Sequence, residues 1–84
     1  MMSCSQYDYI EIACLYHLPV RLKLLNGAIV EGTAVDTTYT TERKEAIVIA
    51  TSSGHETLPT ESLQSMQALA ANPHFDQVTF TQIA

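Results

Sequence analysis

Val20-Arg21-Leu22-Lys23-Leu24-Leu25-Asn26-Gly27 is the stretch whose reading decides the fold. Apolar and basic residues alternate from Val20 to Leu24, the period of a strand with one buried face. Asn26-Gly27 is the strongest short hairpin signal, because both residues tolerate the positive φ that tight hairpin turns demand. A second strand is therefore predicted from Ala28 to about Thr38, rich in β-branched residues. Gly32 in its interior predicts a bulge or a sharp bend.

Downstream of the hairpin, Thr37 to Lys44 (TTYTTERK) is polar and reads as a loop. Ala46 to Thr51 (AIVIAT) is a continuous apolar run, which predicts a central strand covered on both faces. Ser53-Gly54 predicts a second tight turn and His55 to Leu58 a fourth strand, ended by Pro59 or lying at an edge. Thr60 to Ala71 admits two readings. Leu63, Met66 and Leu69/Ala70 have helical spacing, with Thr60 as a cap and Asn72-Pro73 as a stop. Alternatively, one helical turn at Thr60–Ser62 leads into a strand from Leu63 to Ala68. Val78 to Ile83 alternates cleanly and predicts a last strand.

Upstream, Ser5 to His17 (SQYDYIEIACLYH) carries the one well-signalled helix, predicted from about Gln6 to Tyr16. Ser5 is the expected N-cap, with Asp8 completing a near capping box. Pro19 ends the helix, because the residue before proline is driven out of the helical region. At about 100° per residue, Ile10, Ala13, Cys14 and His17 share one side. Tyr7, Asp8, Glu11 and Leu15 share the other. One helix and five or six short antiparallel strands in 84 residues predict a mainly β single domain, with the helix over one end of a closed or strongly bent sheet.

Nine acidic residues against four basic give a net charge of −5. Nucleic-acid affinity rests largely on phosphate neutralisation by Lys and Arg, and only Arg21, Lys23, Arg43 and Lys44 are available. Such a chain is repelled by nucleic acid and attracted to a basic protein surface, although acidity also serves solubility. Two cysteines, Cys4 and Cys14, make no disulfide framework and suit a reducing compartment. No run approaches the ~20 apolar residues needed to cross a bilayer, and no signal-peptide pattern opens the chain. A cytoplasmic location without membrane association is expected.

His17, His55 and His74 are far apart, and none stands at a metal-ligand spacing from a cysteine. No nucleophile elbow or glycine-rich phosphate loop is visible. Neither an enzyme nor a metal or other cofactor is expected. What remains is Tyr7, Asp8 and Glu11 on one helix stripe. Two carboxylates at i and i+3 are surface neighbours that can form charge-assisted bonds with lysine or arginine. The tyrosine adds flat contact area with a polar tip. An ordinary solvated helix face is the alternative.

The string Cys4-x-x-Tyr7-Asp8-x-Ile10-Glu11-Ile12-Ala13-Cys14-x-x-His17-Leu18, followed by the strand to Leu25 and Asn26-Gly27, resembles the bacterial Rho-binding antiterminator family, Rof. The likeness covers nearly the whole chain and is strongest over Cys4–Gly27. It implies an N-terminal helix on a small Sm-like antiparallel β-barrel, and favours the strand reading of Leu63–Ala68. It further implies an inhibitor that binds the transcription termination factor Rho and blocks its primary RNA-binding site, with no direct nucleic-acid partner; a monomer is expected. Tyr7, Asp8 and Glu11 match the family's helix contacts, and the loop carrying Arg43 and Lys44 matches one that also approaches Rho. Two other readings stay open: an Sm-like barrel that binds RNA through Arg21 and Lys23, and an acidic adaptor for some other basic protein.

Overall fold

The computed structural model describes residues 2–82, so Ile83, in the predicted last strand, lies outside the described residues. The chain runs α1 (Cys4–Leu15), β1 (Pro19–Leu24), β2 (Ile29–Tyr39), β3 (Glu45–Thr51), β4 (Gly54–Pro59), a 3₁₀ turn (Thr60–Ser62), β5 (Leu63–Ala68) and β6 (Gln77–Thr79). The strands form one antiparallel sheet in the order β4-β3-β2-β1-β5-β6. The fold is mainly β with one N-terminal helix.

Of the two expected forms, closed or strongly bent, the described residues do not show closure. Among the described residues no ladder joins β4 to β5 or β6. The sheet is nevertheless strongly curled. Four inter-strand steps separate β4 from β5, roughly 19 Å on a flat sheet. The three-residue 3₁₀ turn between them rises only about 6 Å. The two strands can be joined so briefly only because the sheet bends round on itself. The turn is pinned where it crosses: Thr60 Oγ1 donates to the Glu45 carbonyl at 3.3 Å, and the Leu25 N–H donates to the Ser62 carbonyl at 2.9 Å.

The two-way reading of Thr60–Ala71 resolves to the turn followed by a strand. Helical spacing of Leu63 and Met66 has a different cause. Leu22 pairs with Met66 and Leu24 with Leu63, so β5 carries an extra residue, Gln64, between two inward-facing positions. A bulge turns the strand period of two into an apparent three. Both side chains are fully buried, together with Val20, Leu22, Ile47 and Ile49 on the strands and Ile10 on the helix.

Of the bulge or sharp bend expected at Gly32, the bulge is not there. It stays in register opposite Val20, and the extra residue of β2 is Val35, between Ala34 and Asp36. Gly32 is needed because the β3 backbone passes directly over it. The polar stretch after Thr37 is also more ordered than a loop. β2 continues to Tyr39, and only a tight turn at Thr40–Lys44 separates it from β3.

The helix starts two residues earlier than its pattern suggests. Ser3, not Ser5, is the N-cap, its hydroxyl accepting from the Gln6 N–H at 3.4 Å. Asp8 and Glu11 therefore lie beyond the first turn, where the helix dipole contributes little. Gln6 reaches outward, donating to the Thr79 carbonyl at 3.3 Å and accepting from the Thr81 N–H at 2.9 Å, which ties α1 to the end of β6. Ile10, Ala13 and Cys14 are buried as expected, but His17 is exposed. The reason is a Schellman ending: Leu18 N–H bonds the Ala13 carbonyl, His17 N–H bonds that of Cys14, and His17 takes φ +50°. That reversal takes position 17 off the helical wheel. Glycine is the residue suited to this conformation. His17→Gly is expected to stabilise the fold by about 1 kcal/mol, a rise in Tm of several degrees by calorimetry.

Candidate functional site

Tyr7, Glu11 and Leu15 succeed one another at i and i+4 along α1, with Asp8 beside them, and the helix rests on β2. Asp8, Glu11 and Leu15 are exposed, whereas Tyr7 is half-buried and packs against the core. Burial pushes the Tyr7 hydroxyl pKa up, the Thr37 hydroxyl lowers it, and the Glu45 and Glu11 carboxylates raise it further. Tyr7 is thus the hinge of the site. It joins the helix to the seam between β2 and the start of β3.

Arg43 and Lys44 come from the β2–β3 turn, which has a twin in the β1–β2 turn. In both, the first residue accepts from the fourth and donates to the fifth: Leu24 with Gly27 and Ala28, Thr40 with Arg43 and Lys44. The fourth position takes a positive φ in each, +90° at Gly27 and +63° at Arg43. This is the three-residue hairpin loop whose left-handed position suits glycine. Arginine holds it at a conformational cost of about 1 kcal/mol, and its side chain is exposed.

A cavity of about 250 Å³ brings Tyr7 together with Tyr39, Arg43, Lys44, Glu45 and Glu61. Sequence-predicted Tyr7, Arg43 and Lys44 therefore meet in one place. Lys44 is already engaged: its Nζ lies 2.7 Å from Glu61 Oε1, which raises the lysine pKa and lowers that of the glutamate. Glu11 lines an adjacent groove with Leu15 and Asp36, and Asp8 lines neither. Asp36 and Glu45 are the members that sequence reasoning missed. Both sit on strands, and only tertiary packing brings Asp36 beside Glu11 and Glu45 beside Tyr7.

Charge is unevenly balanced. Two ion pairs, Arg21–Glu31 and Lys44–Glu61, engage half of the four bases and two of the nine acids. Lys23 and Arg43 are the bases left without an ion-pair partner among the described residues. The Glu31 carboxylate partly neutralises the basic strip proposed for RNA, and Arg21 also donates to Gln67 Oε1 at 3.3 Å. Among the described residues no group of three or more His, Cys, Asp and Glu side chains is placed to hold a metal ion, and no helix is long and apolar enough to cross a membrane. The arrangement can present carboxylates and a tyrosine edge to a cationic surface.

The buried Cys14 thiol lies under this face, its pKa pushed up to about 11 by burial, with Asp36 and Glu11 adding. A raised thiol pKa favours the fold below the unfolded value of about 9, and that contribution is lost as pH climbs to about 11. Cys4 is exposed. Alkylation at pH 8 read by mass spectrometry is therefore expected to label Cys4 and to reach Cys14 only after denaturant is added.

The family model for modulators of Rho-dependent transcription termination, ROF, matches residues 1–80. The chain belongs to the ROF family. A solved structure of a similar protein, YaeO bound to magnesium from Vibrio cholerae O395, superposes with a TM-score of 0.87 at 41% identity, covering 89% of this chain and 97% of that one. No curated protein sequence matches significantly. ROF membership identifies a regulatory protein of Rho-dependent termination, the setting in which the acidic helix face has to be understood.

Proposed function

We propose that this ROF protein binds Rho directly, covers its primary RNA-binding site and so prevents transcripts from being captured. The observation that carries the reading is the acidic face of α1, where Asp8 and Glu11 flank the half-buried Tyr7 and are reinforced by Asp36 and Glu45. A surface built to take phosphates attracts such a face, and long-range attraction speeds the encounter. Arg43 and Lys44 flank the same face and make the accompanying turn contacts. The curled sheet serves as an Sm-like barrel left open along one seam, a rigid platform for the helix. The protein acts in the cytoplasm, without catalysis and without touching RNA.

RNA binding by the protein itself is the weaker reading, because Arg21 is held by Glu31 and Gln67. Competition separates the two. Labelled RNA bound to Rho is expected to be displaced as the protein is added, with the inhibition constant rising steeply with salt. A ternary complex of RNA, Rho and this protein, formed without mutual weakening, would exclude blockade.

A further inference from the structure

We propose that the groove between α1 and β2 seats a single lysine or arginine side chain of the partner, held between Glu11 and Asp36. The inference rests on the Rho-binding reading and names the group that enters.

The groove holds about 330 Å³ and is lined by Glu11, Ile12, Cys14, Leu15, Val35 and Asp36, with Thr37 at its end. Its walls differ in character. Glu11 stands on the helix and Asp36 on β2, and neither has an ion-pair partner among the described residues. Both carboxylates line this one groove together with Cys14, one from the helix and one from the sheet. The floor and lip are apolar. Leu15 is 71% exposed, an unusual position for a leucine in so acidic a neighbourhood. Val35 is the extra residue of the β2 bulge, and bulges re-aim a side chain beside functional surfaces.

These walls select their occupant by chemistry. An anion is repelled by both carboxylates. A purely apolar side chain would strip water from Glu11 and Asp36 and return nothing to them. A long methylene stem with a cationic head satisfies both parts, its stem on Leu15 and Val35 and its head between the carboxylates. One Asp36 oxygen already accepts from the Thr37 N–H at 2.8 Å, which fixes the carboxylate and leaves its other oxygen available. The groove thus extends the acidic face beyond the helix, onto residues that the helix stripe alone does not include.

The test uses the whole chain and purified Rho, with affinity measured by calorimetry and folding checked by circular dichroism. Asp36→Asn keeps the acceptor for Thr37, and Leu15→Ser alters an exposed residue, so both variants are expected to fold. Each is expected to weaken binding about tenfold, while Glu56→Gln, on the exposed edge strand β4, leaves it unchanged. Glu11→Gln combined with Asp36→Asn is expected to lose less than the product of the two single effects, because both carboxylates serve one cation. Wild-type affinity in both Asp36→Asn and Leu15→Ser would overturn the groove while leaving Rho binding through the helix intact. Absence of binding by the unaltered protein would remove the Rho reading and the groove's occupant together.

Discussion

Reversing Asp8 and Glu11 together to lysine is expected to lower affinity for Rho at least about a hundredfold, while the circular dichroism spectrum and Tm stay within error. Both side chains are exposed and neither makes an ion pair among the described residues, so the fold has little to lose. Surface changes of this kind shift stability by about 0.5 kcal/mol or less. At an interface with a basic surface the consequence is much larger, because each reversal replaces an attraction with a repulsion between desolvated charges. The variant remains acidic overall, since a change of four units brings the net charge from −5 to about −1. Loss of binding would therefore report on the helix face rather than on the sign of the molecule. The neutral pair Asp8→Asn and Glu11→Gln should fall between wild type and the reversal. Unchanged affinity in the reversed protein would move the contact off α1 altogether.

The largest effect on stability is expected at Gly32. A Cβ at this position would lie 2.7 Å from Ile49 Cγ2 and closer still to the Ala50 carbonyl oxygen. The side chain could give way, but the carbonyl belongs to the β2–β3 ladder, where Thr33 and Ala50 are paired. Room for even one methyl group requires β3 to move away from β2. Overpacking of this kind costs about 3 kcal/mol, a large share of the roughly 5–10 kcal/mol that holds a small domain together. Urea unfolding of Gly32→Ala should show a lower midpoint with an unchanged slope. A loss below about 0.5 kcal/mol would mean that the sheet is more pliant here than its packing indicates.

Much of the fold is legible in the sequence where the signal is local. Alternation from Val20 to Leu24, the turn at Asn26-Gly27 and the apolar run of β3 each describe their own element. Where two strands must be compared, the pattern fails. Leu63 and Met66 imitate a helix because Gln64 is bulged, and that bulge exists only in relation to β1. Gly32 advertises a special backbone position but not its cause, which lies in the passage of β3. The helix boundaries are missed for a different reason: Ser3 and Ser5 are both able to cap, and His17 ends the helix in a conformation usually left to glycine. Among the described residues no ladder closes the sheet. For the candidate site, Tyr7, Asp8 and Glu11 are marked by their helical spacing. Asp36 and Glu45 carry no such mark, because their nearness to the helix is created by tertiary packing.

The strand order also bears on how the molecule assembles and opens. β1 to β4 follow one another as hairpins, each closing a short loop. β5 must instead return to β1, pairing Ala68 with Val20 across most of the chain. Contacts so distant in sequence raise contact order and form slowly, so the hairpin meander is expected to form before β5 and β6 arrive. Since Gln6 is bonded to Thr79 and Thr81, docking of that last strand adds two hydrogen bonds to the first turn of α1. Loosening of β6 is thus expected to release Gln6 and fray the first turn of α1, next to Tyr7 and Asp8. Amide exchange is expected to be coupled between that first turn and the three-residue strand that holds it.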